Sequence, residues 1–110
     1  MQLIEYQIKG GTDAIVICGT TGESATLKDD EHLECIRVAV KAAAGRVPVI
    51  AGTGSNYTEH AVDMSKEAKA LGADALLLVT PYYNKTTQKG LIANFNTIVD
   101  AAGLPAILYN

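Results

Sequence analysis

The strongest chemical signal in the sequence is a pair of threonines held between two glycines. They form the segment Gly19-Thr20-Thr21-Gly22, directly after the apolar run at residues 14–18. Glycine lets a backbone pass close to a ligand, and hydroxyl groups can bind a ligand or relay protons. The same layout, an apolar run that ends in a hydroxyl group, recurs at Thr53, Thr80 and Tyr109. Polar side chains at the ends of four successive strands predict an active-site face.

Several of these residues also have a purely structural interpretation. Thr20 and Thr21 could be ordinary turn and cap residues, because Ser and Thr are common before helices. Tyr82 and Tyr83 could form a contact patch without chemistry. Glu23 could be a general base, although an acid that bonds the turn amides is the simpler interpretation. The recurrence of hydroxyl groups at successive strand ends favours a functional role for the two threonines.

Four apolar stretches are typical of parallel strands covered on both faces, because they are continuous rather than alternating. They are residues 13–18, 47–51, 74–79 and 105–109. Apolar residues at helical spacing separate them, and a short helix precedes the first. Thr26 with Asp29 resembles a capping box at the start of a helix over about residues 27–44, and Gly45 suits its end.

The resulting order αβαβαβαβ predicts a parallel sheet with right-handed crossovers. Both a doubly wound sheet and a (βα)8 barrel fit this order. Polar residues at every strand end favour the barrel, because a doubly wound sheet concentrates its chemistry at one switch point. A complete barrel has eight strands. The predicted fold class is therefore α/β, a single segment over residues 1–110 that forms about half of a TIM barrel.

Composition argues against several kinds of partner. Nine Lys and Arg residues face 12 Asp and Glu residues, for a net charge of −3, and no basic cluster is present. We therefore expect no nucleic-acid partner and no membrane, and the start of the chain lacks the features of a secretory signal. Cys18 and Cys35 predict two buried thiols in a reducing cytoplasm. His32 and His60 are interpreted as solvated helix residues, so no metal site is expected.

Four segments at the predicted strand ends together resemble the dihydrodipicolinate synthase family, within the pyruvate-dependent class I aldolases. They are residues 19–27, 48–54, 80–84 and 107–110, and the resemblance extends over essentially the whole chain. It implies a lyase that condenses pyruvate with aspartate semialdehyde in lysine and diaminopimelate biosynthesis, without a cofactor. In such enzymes a lysine amine forms a Schiff base with pyruvate, and the imine acts as an electron sink.

The resemblance also implies roles for individual residues. Tyr109 would be the proton shuttle beside the imine, and Thr20 would connect it by hydrogen bonds to Tyr83. The family tyrosine that matches Tyr83 reaches across a dimer interface into the neighbouring site, which implies a homo-oligomer. Thr21 would hold the pyruvate carboxylate through its hydroxyl and backbone N–H groups. The implied substrate-binding set is Thr21 with the flanking Gly19 and Gly22.

The Schiff-base lysine of the family has no counterpart here. It belongs to the strand after the one that ends this chain, and every lysine of the chain falls in a predicted helix or loop. Lys85 is the only lysine expected near the site rim. Because the covalent route needs the amine itself, we expect the 110-residue chain alone to be inactive.

In lysine-regulated members, an effector pocket lies at the dimer interface. Two of its positions differ here: Asp29 replaces a histidine, and His60 replaces a carboxylate that contacts the effector. We therefore expect weak or absent inhibition by lysine. The matching positions of the possible pocket are Ser24, Ala25, His32, Asn56 and Tyr82.

Two alternatives remain open. One is a sister aldolase, such as N-acetylneuraminate lyase or a keto-deoxy sugar acid aldolase. The other is a non-catalytic half-barrel that acts only as an assembly unit. Its unpaired edge strands, at residues 13–18 or 105–109, would promote aggregation unless two copies close on each other.

Overall fold

A computed structural model describes residues 1–110 and contains one sheet of four parallel strands, which confirms the predicted α/β class. The strands follow one another in chain order, with Ile15 opposite Val49 and Leu76 opposite Ala106. Each strand is somewhat shorter than predicted, mainly because it begins one or two residues later. The strands are β1 (Ile15–Ile17), β2 (Val49–Gly52), β3 (Ala75–Val79) and β4 (Ala106–Tyr109).

One helix precedes each strand, as the alternating pattern predicts. Two short 3₁₀ turns, Thr20–Gly22 and Ser24–Thr26, lie between the first strand and the second helix. The helices are α1 (Gln2–Lys9), α2 (Asp29–Ala43), α3 (Thr58–Ala70) and α4 (Gln88–Ala102). None of them is long and apolar enough to cross a lipid bilayer.

The core lies between the sheet and its helices. Ile36 of α2, Leu76 and Leu78 of β3 and Ile98 of α4 are at most 1% exposed. Alternate side chains of the strands point to the opposite face, where Val16 of β1 and Ile107 of β4 remain about half exposed (51% and 50%). The sheet therefore has one face covered by helices and one open face. Because the strands are parallel, their carboxyl ends lie along the same edge of the sheet.

The expected capping box of α2 is wrong in its residues. The N-cap is Lys28, whose backbone N–H donates to the carboxylate of Glu31 at 3.0 Å. The hydroxyl of Thr26 instead donates to the carbonyl of Glu23 at 2.8 Å, which closes the second 3₁₀ turn. At the other end, Ala44 is the C-cap and adopts the left-handed conformation (φ 50°), so the helix ends at Ala43, two residues before Gly45.

Candidate active site

The turn after β1 is shaped by backbone conformation. Cys18 has a φ of 59°, a left-handed value that is uncommon for a residue with a side chain, and Gly19 is extended. The next residues form a 3₁₀ turn closed by Gly22 N–H to Gly19 O at 3.1 Å and Glu23 N–H to Thr20 O at 2.9 Å. These bonds leave the N–H groups of Thr20 and Thr21 outside the hydrogen bonding of the turn, so they are available as donors.

The turn and the last residue of β4 line one cavity of about 520 Å³. The structure therefore brings together most of the residues that the sequence predicts for the site. Apolar side chains of Val16 and Leu77 form part of its wall. The predicted site residues in this cavity are Gly19, Thr20, Thr21, Gly22 and Tyr109. Hydroxyl and amide donors beside apolar surface can hold a small carboxylate with one end desolvated.

Tyr83 does not join this cavity within the single chain. Its side chain is 97% exposed, and it lines a separate cavity of about 510 Å³ with Thr80, Lys85 and Asn110. Its φ of 63° is in the left-handed region, and such strain persists only where the surroundings or a function maintain it. No hydrogen bond connects Tyr83 or Tyr109 to Thr20, so the proton relay remains a prediction.

Thr53 is not part of the open rim, contrary to the expectation from the sequence. It is 2% exposed, and its hydroxyl is hydrogen-bonded to Ser65 of α3 at 2.7 Å. Ser65 is fully buried, so the pair joins α3 to the end of β2 inside the core. One hydroxyl donates and the other accepts in this bond, so each has a partner inside the core and the pair is structural.

The glycines on either side of Thr53 have a packing role that the sequence did not reveal. A Cβ atom on Gly52 would lie 2.2 Å from the carbonyl oxygen of Cys18, and one on Gly54 would lie 2.5 Å from the backbone nitrogen of Val79. Neither position leaves room for a side chain. The Gly-Thr-Gly spacing is the sequence signal for this packing, because it marks the close approach of the ends of β1, β2 and β3.

His32 is not a solvated helix residue. Its Nε2 lies 2.7 Å from the carbonyl oxygen of Gly52, and the side chain is half-buried. The backbone carbonyl of His32 also accepts a hydrogen bond from the thiol of Cys18, at 3.7 Å. His32 thus connects α2 to the ends of both β1 and β2. The expectation for Glu23 also fails, because only its backbone carbonyl accepts hydrogen bonds in the turn.

The residues of the possible effector pocket come from three parts of the chain: Ser24, Ala25 and His32 at or near the start of α2, Asn56 just before α3, and Tyr82 in the loop after β3. Ser24 and His32 line one small cavity, and the carbonyl of Asn56 accepts a hydrogen bond from Asn84 at 2.7 Å. Ala25 and Tyr82 are exposed, and the ring of Tyr82 meets that of Tyr83 edge-on with 6.4 Å between ring centres. Whether these residues bind an effector remains a prediction.

The two departures from the family pattern, Asp29 and His60, contact each other. His60 Nε2 lies 3.0 Å from a carboxylate oxygen of Asp29, which joins the start of α3 to the start of α2. Both side chains are well exposed. The carboxylate of Asp29, near the possible pocket, is therefore already paired with the imidazole of His60.

No lysine lies on a strand. Lys85 lies in the loop before α4, where it lines the same cavity as Tyr83, and Lys28 caps α2. The remaining lysines belong to helices: Lys9, Lys41, Lys66, Lys69 and Lys89. No group of three or more His, Cys, Asp or Glu side chains is arranged to hold a metal ion.

The model of the Dihydrodipicolinate synthetase family matches residues 1–110. The chain belongs to this family. It is 63% identical over 109 residues to a 4-hydroxy-tetrahydrodipicolinate synthase from Lachnoclostridium phytofermentans, a match that covers 99% of the chain and 37% of that protein. The family assignment confirms the resemblance inferred from the four strand-end segments.

Solved structures of family members superpose closely on the chain. One is the chloride-inhibited dihydrodipicolinate synthase from Acinetobacter baumannii complexed with pyruvate, with a TM-score of 0.96, 52% identity and coverage of 99% of this chain and 38% of that one. Another is the enzyme from Cyanidioschyzon merolae with lysine bound, with a TM-score of 0.95, 49% identity and coverage of 99% and 37%. The chain thus spans somewhat over a third of the length of its relatives and corresponds to part of their TIM barrel.

Proposed function

We propose that this chain is the portion of a dihydrodipicolinate synthase that supplies the threonine and tyrosine side of the pyruvate site. One observation carries the proposal: Thr20, Thr21 and Tyr109 line a single cavity at the carboxyl edge of a parallel sheet, in a chain of this family. The relative from Acinetobacter baumannii, which covers this chain, was solved with pyruvate. The substrates proposed are pyruvate and aspartate semialdehyde, and the proposed location is the cytoplasm.

Each residue has a distinct role in this proposal. Thr21 binds the pyruvate carboxylate through its hydroxyl and its N–H group, which the turn leaves unused. The imine forms on a lysine that this chain does not supply. Tyr109, at the end of β4, moves a proton at the imine, and Thr20 holds the Tyr109 hydroxyl in position within the shared cavity.

The exposure of Tyr83 supports assembly of two subunits. A tyrosine that is 97% exposed and has left-handed backbone is poorly explained within one chain. We propose that it completes the relay in a neighbouring subunit, so that a homo-oligomer is the active form. The Tyr82 ring, which meets the Tyr83 ring edge-on and is also exposed, would be part of the same interface.

The decisive experiment is a chimera in which the chain replaces the matching segment of the Lachnoclostridium phytofermentans synthase. We expect the chimera to condense pyruvate with aspartate semialdehyde and to leave N-acetylneuraminate and keto-deoxy sugar acids unchanged. Cleavage of a sugar acid with no synthase activity would instead identify a sister aldolase. A folded chimera without any pyruvate-dependent activity would contradict the proposal.

Variants of the chimera test the individual roles. Loss of a hydrogen bond to a charged group costs about 1.5–3 kcal/mol, so Thr21→Val should raise the KM for pyruvate about 10- to 100-fold. Loss of a general acid–base group should lower the kcat of Tyr109→Phe about 10²- to 10⁴-fold. Tyr6→Phe is the matched control, because Tyr6 is 73% exposed on α1 and does not line the cavity.

We also infer that lysine inhibits this protein weakly or not at all. The Cyanidioschyzon merolae relative was solved with lysine bound. Here the carboxylate of Asp29 is paired with His60 at 3.0 Å, so capture of a cationic ligand must compete with that contact. Calorimetric titration of lysine into the chimera should show no binding in the micromolar range. Inhibition of the chimera by micromolar lysine would contradict this inference.

A second candidate function, a non-catalytic assembly unit, is favoured by the open face of the sheet. Each of β1 and β4 pairs with only one neighbour, and Val16, Ile107 and Leu108 are about half exposed. Two copies could close through these edges, which would shield them from aggregation. Sedimentation of the 110-residue chain distinguishes the outcomes: a discrete dimer supports closure, and a monomer argues against it.

A further inference from the structure

Two thiols line one cavity beside the turn that carries the site threonines. Cys18 directly precedes Gly19, and Cys35 lies on α2. Cys35 packs against the buried cluster that contains Cys18, and both residues line the cavity of the Gly19–Gly22 turn. Both are free thiols. The sequence predicted two buried thiols, and the structure adds that both line one cavity.

The two thiols differ in their surroundings. Cys18 is 7% exposed, and burial raises its pKa to about 12, with a further contribution from the neighbouring Cys35 thiol. Its proton is held toward the carbonyl of His32 at 3.7 Å. Cys35 is only half-buried and borders the open cavity. Because access controls oxidation, the more exposed Cys35 is the thiol that meets a dissolved oxidant first.

We propose that Cys18 and Cys35 form a peroxide-sensitive pair that closes to an intramolecular disulfide at the base of the Gly19–Gly22 turn. The sulfur of Cys35 first attacks the O–O bond of hydrogen peroxide. One oxygen stays on Cys35 as a sulfenic acid, and the other leaves as water. The Cys18 sulfur then displaces the hydroxyl group of the sulfenic acid, and that hydroxyl leaves with the Cys18 proton as a second water. Both sulfurs are oxidised by one peroxide.

The disulfide would act on the site through the backbone. Cys18 has left-handed backbone and is followed directly by the turn whose free N–H groups belong to Thr20 and Thr21. A covalent link to α2 fixes Cys18 relative to the helix and breaks its bond to the His32 carbonyl. Oxidation should therefore change the environment of the turn amides and leave the distant part of α4 unchanged.

The test uses the native 110-residue chain and hydrogen peroxide at a small molar excess. After quenching with catalase, the chain is unfolded, treated with iodoacetamide and weighed intact. We expect a mass lower by two hydrogen atoms, loss of both alkylation sites, a monomer on a non-reducing gel, and full reversal by dithiothreitol. In a ¹H–¹⁵N spectrum, the Thr20 and Thr21 amide signals should shift, whereas that of Thr97 in α4 should not.

Single variants assign the order of the two steps. Cys18→Ala should retain oxygen on Cys35 as sulfenic or sulfinic acid, and Cys35→Ala should keep Cys18 as a free thiol at the same peroxide dose. Circular dichroism shows whether each variant is folded. If a variant does not fold, the mass and NMR measurements on the unsubstituted chain still test the proposal. Recovery of two alkylated thiols, sulfinic acid on Cys35 beside a free Cys18, or disulfides only between chains would each overturn it. A disulfide without shifts at Thr20 and Thr21 would overturn the link to the turn.

Discussion

Gly52→Ala tests whether the ends of β1 and β2 are packed as closely as the structure indicates. The added Cβ would lie 2.2 Å from the carbonyl oxygen of Cys18 and 2.8 Å from its carbonyl carbon. Since non-bonded carbon contacts are optimal at about 3.5–4.0 Å, the two strand ends must separate by roughly 1 Å. That movement also pulls the Gly52 carbonyl away from His32 Nε2, now at 2.7 Å.

The expected cost follows from these two changes. Forcing additional atoms into a packed interior costs about 1–3 kcal/mol, and loss of one hydrogen bond costs about 0.5–1.5 kcal/mol. We therefore expect Gly52→Ala to lower the free energy of unfolding by about 2–4 kcal/mol. This is a large share of the roughly 5–15 kcal/mol that stabilises a typical domain.

Urea unfolding monitored by far-UV circular dichroism measures this cost as a lowered midpoint at unchanged slope. Gly22→Ala is the matched control, because a Cβ there has no atom within 4 Å and the backbone is not left-handed. Its unfolding free energy should stay within about 0.5 kcal/mol of the unsubstituted chain. The reasoning is refuted if Gly52→Ala lowers the free energy of unfolding no more than Gly22→Ala does.

Three further outcomes are expected. Thr53→Val removes the 2.7 Å partner of the fully buried Ser65 hydroxyl and should cost about 1–3 kcal/mol in the same unfolding assay; an unchanged midpoint would contradict a structural role for the pair. The hydrogen bond from Arg46 holds the pKa of Glu5 below its ordinary value of 4.5. The contact therefore stabilises the fold above that pH, and its contribution is lost as the pH falls through the lowered pKa. Glu5→Gln should flatten the acid side of the plot of unfolding free energy against pH, and an identical plot would argue against the contact. Tyr83→Phe should leave unfolding unchanged, because the side chain is 97% exposed, yet lower the kcat of the chimera; a destabilised chain or an unchanged kcat would contradict its proposed role between subunits.

The order and type of the elements could be predicted because continuous apolar runs and helical spacing are local properties of the sequence. The predicted limits of the strands were less accurate than their order, since some residues just before a strand make side-chain hydrogen bonds instead of continuing the sheet. The carboxylate of Asp74, for example, accepts a hydrogen bond from Val49 N–H at 2.8 Å and stands just before β3. The N-cap of helix α2 is Lys28 rather than Thr26, because Thr26 bonds the preceding turn instead.

The placement of site residues could be predicted where it follows from a strand end: Thr20, Thr21 and Tyr109 line one cavity, and their roles stay predictions. The sequence prediction was wrong where the surroundings of a side chain depend on a partner that is distant in the sequence. Thr53 follows a strand like the others, but Ser65 of α3 binds its hydroxyl inside the core. His32 lies on a helix that looks solvated in sequence, but the Gly52 carbonyl lies within hydrogen-bond distance of its ring.

The central claim is that this chain supplies the threonine and tyrosine side of a pyruvate site but not the amine that forms the imine. Intact mass after treatment with pyruvate and borohydride tests it most directly, with the isolated chain and the chimera treated side by side. We predict one pyruvate adduct on the chimera and none on the isolated chain. An adduct on the isolated chain, which peptide mapping would place at Lys85 or another lysine, would contradict the claim, as would a folded chimera without any adduct.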